Sequence, residues 1–276
     1  MEYVELNISV ADAQESEIVM ALLSDYAFEA FDEQEGRLLS YIQLSAWAES
    51  RFEVEAILRQ QELEFTVRDV EPQNWNQEWE SGFEPVDIDG ETPIRIRAAH
   101  HLAKDGSLDI VIAPRMSFGT GHHSTTALMS ATIAEQGVES LSGLDMGCGT
   151  GVLAIVALKC GARKMVAVDI DDWACDSCRD SIALSGVAES VDVRVGSIDV
   201  VQGEKFDFIL ANINRNILQS MMEKFSLLLE RDGWIAMSGF LDEDAEAVEQ
   251  CAAQWSMVKT QHRVSDGWVV MVCKKL

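Results

Sequence analysis

The stretch Leu141-Ser142-Gly143-Leu144-Asp145-Met146-Gly147-Cys148-Gly149-Thr150-Gly151-Val152-Leu153-Ala154-Ile155-Val156 decides the fold. Its first six residues read as a buried strand, 147–151 as a glycine-rich turn, and 152–160 as an apolar helix. Glycines at such a turn remove Cβ atoms, so a ligand can lie against bare backbone. In an open α/β sheet, ligands bind beyond the C-terminal ends of the strands, where this turn falls. The spacing is G-x-G-x-G. Dinucleotide enzymes use G-x-G-x-x-G, with a helix N-terminus aimed at a pyrophosphate. The expected ligand therefore lacks that group.

Reading toward the C-terminus, Lys164 to Asp169 is a second buried strand that ends in an acid. An acid about twenty residues beyond a glycine turn can accept hydrogen bonds from both hydroxyls of a ribose. No basic residue stands beside it to meet a 2′-phosphate. Asp171 and Asp172 can cap the helix running to Leu184, which leaves Asp169 for a ligand. Glycine loop and acid together point to an adenosine-type ligand without pyrophosphate. S-adenosylmethionine fits, with Asp145 beside its positive amino or sulfonium end. Val191–Val195 and Phe206–Ala211 read as further strands, Ile217–Leu229 as a helix and Trp234–Met237 as a strand. Met257–Val264 and Trp268–Cys273 flank Ser265-Asp266-Gly267, a hairpin signal. The expectation for 94–276 is a doubly wound α/β sheet, mostly parallel, closed by an antiparallel hairpin.

Toward the N-terminus, Phe118-Gly119-Thr120-Gly121-His122-His123-Ser124-Thr125-Thr126 is dense in hydroxyls and precedes a helix expected from Ala127. Residues 72–93 read as a linker. Trp75 and Trp79 lie four apart within it, which puts both on one face of a short helix. Residues 1–71 alternate strand and helix patterns in the order β-α-β-β-α-β, with Asp12 capping the first helix. That order is expected to give a small ferredoxin-like α+β domain.

Composition narrows the function further. The 276 residues carry a formal net charge of -26. Such a balance argues against direct binding to nucleic acid, whose phosphates want Lys and Arg, and fits a basic protein partner. Residues 1–71 hold 17 acidic and 4 basic side chains, so half the net charge sits in a quarter of the chain. No apolar run is long enough for a transmembrane helix, and the acidic N-terminus is not a signal peptide. The six Cys are scattered in apolar segments and read as free thiols of a cytoplasmic protein. Cys175-x-x-Cys178 lies within a helix with no second pair nearby, so neither metal nor redox chemistry is expected of it. The His100-His101 and His122-His123 pairs have no ligand spacing that predicts convergence on a metal.

Taken together, Phe118 to Thr126, Asp145 to Gly151, Asp169 and Ala211-Asn212-Ile213 resemble the ribosomal protein L11 methyltransferase family, which methylates large-subunit protein eleven. Trp75-x-x-x-Trp79 with Phe83-x-Pro85, and Met237-Ser238-Gly239-Phe240-Leu241, are similar to further family segments. The resemblance is good over about 72–276 and rests on pattern and position before that. It implies a class I methyltransferase (Rossmann-like) domain behind an N-terminal substrate-recognition domain. It also implies S-adenosylmethionine as cofactor, with contacts at Thr126, Gly147, Asp169 and Asn212. Asp145, Gly149 and Gly151 join that cofactor set from the loop itself. Ser124, His122 and Asn214-Arg215 depart from common family residues, which bears on the acceptor side of the site.

Asn212-Ile213-Asn214-Arg215 lacks the two prolines and the aromatic ring that clamp planar nitrogens in related enzymes. An amine carries its own lone pair and needs no such clamp. The expected reaction is direct displacement by a lysine or N-terminal amine, with Asn212 orienting the amine and His123 shaping the pocket. The expected partner is ribosomal protein L11 and the expected state a monomer. Three alternatives stand beside this reading. One is a methyltransferase of another protein or small-molecule amine; the second is an NAD-type oxidoreductase, whose loop spacing is missing. The third is an acidic, non-enzymatic binding module.

Overall fold

The computed structural model describes residues 3–23, 26–34, 36–61, 63–70, 83–114 and 119–276. The chain divides into two compact units, residues 1–75 and 76–276. Trp75, Trp79 and Phe118 lie outside the described residues.

The first unit runs β1 (Tyr3–Ser9), α1 (Ala13–Leu23), β2 (Phe28–Gln34), β3 (Arg37–Gln43), α2 (Leu44–Gln60) and β4 (Phe65–Val70). Its sheet has the order β2-β3-β1-β4 with every neighbouring pair antiparallel. This is the β-α-β-β-α-β module expected from the alternation. Period-two spacing puts Val4, Leu6, Ile8, Leu38 and Ile42 on one face, in a core with Val19 and Leu23 of α1 and Val54 and Leu58 of α2. Reciprocal capping starts α1. Asp12 Oδ1 accepts from Glu15 N at 2.9 Å, and Glu15 Oε2 accepts from Ala11 N at 2.6 Å. On the other face of the sheet, the carboxylate of Glu5 is buried and paired with Arg68 at 2.7 Å.

The second unit opens with a three-stranded sheet of β5 (Val86–Ile88), β6 (Ile94–Ala98) and β7 (Leu108–Ile112). Part of the stretch read as linker is therefore strand: β5 pairs antiparallel with β6. A three-residue strand is too short for its alternation to stand out in sequence. Helix α3 (Ser124–Gln136) follows and begins three residues before the expected Ala127, because His123 supplies its N-cap by accepting from Thr125 N. The large sheet is then built from β8 (Ser142–Met146), β9 (Lys164–Asp169), β10 (Val191–Val195), β11 (Phe206–Asn212), β12 (Leu229–Ser238), β13 (Met257–Ser265) and β14 (Trp268–Lys275). Helices α4 (Val152–Lys159), α5 (Asp172–Leu184), α6 (Arg215–Leu228) and α7 (Ala245–Ala253) connect them.

Strand order is β10-β9-β8-β11-β12-β14-β13. The first five strands are parallel, and β14 enters antiparallel between β12 and β13. This is the doubly wound, mostly parallel sheet closed by an antiparallel hairpin that was expected for 94–276. Chain order reverses at β8, which lies between β9 and β11, so the binding crevice opens beyond the ends of these three strands. Apolar cores cover both faces, one around Ile110, Ile155 and Met165, the other around Ile209, Phe225 and Met271.

One edge of β7 pairs with β6, and the other is met by Ser181 of α5 and by Ser185, which caps the C-terminus of that helix. Ser185 Oγ accepts from Val111 N at 3.0 Å and donates to Val111 O at 2.7 Å; Ser181 Oγ accepts from Ala113 N at 3.0 Å. Spaced four apart, these hydroxyls lie on one helix face and stand in for a neighbouring strand. Among the described residues, no helix is long and apolar enough to cross a membrane.

Candidate active site

The glycine turn after β8 is held open by backbone geometry that only glycine takes without strain. Gly147 and Gly151 have φ of +77° each, and Gly149 +52°. A Cβ on Gly147 would stand 2.4 Å from Ile213 Cγ2, and one on Gly151 2.5 Å from Cys178 Sγ. The turn is thus pressed between the loop after β11 and helix α5. Cys148 is a buried free thiol. Hydrogen bonds to Cys175 and Cys178, with burial, push its pKa well above the ordinary range.

Asp145 sits fully buried at the end of β8. Its Oδ2 accepts from Ala154 N in the first turn of α4 at 3.1 Å, while Oδ1 has no partner. Burial lifts this carboxyl to about 7, against the pull of the Ala154 N–H and with the charge of Asp169 adding to the rise. An orphaned buried carboxylate oxygen is costly unless something else fills its shell.

Asp169 ends β9. Its Oδ2 accepts from Gly149 N at 3.0 Å and its Oδ1 from Asp171 N at 3.2 Å. These bonds brace the carboxylate between the glycine turn and the start of α5, and each oxygen keeps a second lone pair for a further donor. Asp171 caps α5 by accepting from Trp173 N at 2.9 Å, as the sequence led us to expect.

The 119–126 segment closes the arrangement from the other side. Thr150 Oγ1 donates to Gly119 O at 2.7 Å and ties the glycine turn to it. Asn212, at the end of β11, donates from Nδ2 to Thr125 Oγ1 at 3.2 Å, and that hydroxyl also pairs with His123 Nδ1 at 2.8 Å. Thr126 is buried, and its Oγ1 has no partner. The His123 ring meets Trp268 edge-on, with centroids 4.8 Å apart at 67°. Beyond Asn212, a cleft of about 410 Å³ is lined by Asn214, Phe240, Glu243, Asp244 and Trp268. Gly239 presses on its floor, where a Cβ would stand 2.3 Å from Ile213 O.

The fold thus gathers His123, Thr126, Asp145, Gly147, Gly149, Gly151, Asp169 and Asn212 around the ends of β8, β9 and β11. Sequence reasoning did not find Thr125, Thr150 or Trp268. Trp268 directly follows the hairpin turn at Ser265-Asp266-Gly267, and an aromatic ring in that place was the available signal.

The model of the family described as Ribosomal protein L11 methyltransferase (PrmA) matches residues 3–276. A ribosomal protein L11 methyltransferase from Phocaeicola vulgatus is 34% identical over 277 residues, covering 98% of each chain. One from Porphyromonas gingivalis is 35% identical over 92% of this chain and 89% of its own. Among solved structures, a ribosomal protein L11 methylase from Lactobacillus delbrueckii subsp. bulgaricus is 25% identical with a TM-score of 0.63, over 70% of this chain and 100% of its own. With its strand order, its glycine turn and a match along nearly its whole length, the chain belongs to the ribosomal protein L11 methyltransferase family.

Proposed function

We propose that the chain transfers methyl groups from S-adenosylmethionine to lysine side-chain and N-terminal amines of ribosomal protein L11. One observation carries the cofactor assignment. Two buried polar atoms, Asp145 Oδ1 and Thr126 Oγ1, lack partners around a turn whose glycines leave room for a ligand. The donor set fits the cofactor. Asp145 offers an anion to its ammonium or sulfonium end, and Asp169 offers lone pairs to ribose hydroxyls. Gly147 and Gly149 offer bare backbone, and Thr126 a hydroxyl.

When bound, S-adenosylmethionine supplies an electrophilic methyl group on a sulfonium. The protein's share of the work is orientation and exclusion of water. In this reading Asn212, held through its amide nitrogen by Thr125, aligns the incoming amine with its amide oxygen. His123 and Trp268 wall that side with aromatic surface. None of these groups acts as a base in this reading, and the acceptor amine arrives neutral. Residues 1–71, with their excess of acid, serve as the recognition domain for a basic ribosomal protein. The enzyme works as a monomer in the cytoplasm, where such a substrate is found.

The test is incubation of the full chain with labelled S-adenosylmethionine and purified ribosomal protein L11, followed by mass mapping. Label on lysine or N-terminal amines is expected. Label confined to other atoms overturns the amine assignment, and no label overturns the proposal.

A further inference from the structure

We infer that Phe83 is a positioning residue for the cofactor, acting through His122 on the loop 119–123; this rests on the methyltransferase reading above. Phe83 is 4% exposed and packs in the core that holds Ile94, Ile96 and Ile110. A ring with only that role would be satisfied by aliphatic neighbours. Instead its face or edge meets two histidines. His122 lies perpendicular to it with centroids 5.1 Å apart, and His101 lies tilted at 6.0 Å. His122 is exposed, so this contact holds down a loop rather than filling a core.

The loop has little slack. A Cβ on Gly121 would stand 2.8 Å from Ile96 Cδ1, and one on Gly119 2.7 Å from Thr150 Oγ1. His122 Nδ1 pairs with Thr120 Oγ1 at 3.3 Å. On one side of His122, Gly119 O anchors Thr150 of the glycine turn. On the other side, His123 caps α3, whose first turn carries Thr125 and Thr126. Release of His122 from Phe83 therefore loosens both walls of the cofactor site together. Neither Phe83 nor His122 was assigned a cofactor contact, so their effect on affinity is indirect.

The experiment titrates S-adenosylhomocysteine into the full chain by calorimetry, for the unmodified protein, Phe83→Leu, His122→Ala and the double variant. Phe83→Leu keeps the site apolar, and His122→Ala changes an exposed side chain, so folding is checked by the thermal midpoint. An edge-on aromatic contact corresponds to roughly three- to tenfold in affinity. Each single variant should weaken binding by about that factor, and the double variant no more than the weaker single. In turnover assays the loss should appear in KM for the cofactor more than in kcat at saturating cofactor. Additive losses, or unchanged affinity in His122→Ala, overturn this inference alone. If the unmodified chain does not bind S-adenosylhomocysteine, the methyltransferase reading fails and the inference fails with it.

Discussion

At the scale of single residues, two carboxylates with similar addresses do different work. Asp169 has both oxygens engaged by backbone N–H groups and stays available to a diol. Asp169→Ala should weaken cofactor binding by about ten- to a hundredfold, the worth of hydrogen bonds to a charged group. Calorimetry with S-adenosylhomocysteine checks this, and unchanged affinity sinks the ribose assignment. Asp145 is lifted to about 7 by burial. Its folded pKa lies above its unfolded value, so the free protein loses stability as pH rises from about 4 toward 7. A cofactor ammonium paired with Oδ1 favours the ionised form. Affinity should therefore climb between about pH 6 and 7, by at most about tenfold per unit, and level off above. Asp145→Asn should flatten that slope; a slope that survives the substitution assigns the proton elsewhere. Asp145, the loop glycines and Asp169 were legible in the sequence because each follows from a strand end, whereas Thr126 and Asn212 came from the family resemblance. Thr125, Thr150 and Trp268 were legible in neither way, because their roles depend on partners 87, 31 and 145 positions away.

At the scale of elements, the buried parallel strands were the easiest to read. Lys164–Asp169 occurs with the bounds expected, since a strand covered on both faces becomes a short apolar run between turns, and Val191–Val195 does so as an edge strand, marked by alternation alone. Less legible were β5, β6 and β7, whose sheet is short and whose outer edge is satisfied by a helix. That substitution of hydroxyls for a strand is testable. Ser185→Ala removes the partner of both Val111 N and Val111 O, and leaving buried polar backbone unpaired costs about 1–3 kcal/mol. Urea unfolding should show a loss of this size, and the Val111 amide should exchange its hydrogen faster. If stability and exchange are both unchanged, the serine contacts are incidental.

At the scale of the whole molecule, acid is densest along the chain where the proposed chemistry is absent. Residues 1–71 hold half the net charge in a quarter of the chain, and the proposed cofactor residues all fall in the unit 76–276. Residues 76–276 produced alone should keep affinity for S-adenosylhomocysteine and lose methylation of intact ribosomal protein L11. Compared at equal cofactor occupancy, equal rates for the two forms would leave the acidic surface a solubilising role only. In the full chain, KM for the protein substrate should rise with added salt, because exposed charges are screened. Strand β14 adds a constraint of a different kind. It supplies Val269–Cys273 to the interior of the sheet and Trp268 to the rim of the site, yet it is the last strand of its sheet in chain order. On a translating ribosome, β12 and β13 emerge before the strand that belongs between them. A nascent chain arrested ahead of β14 would hold most of the proposed cofactor residues but carry a gap in its sheet, open to chaperones and to wrong strand partners.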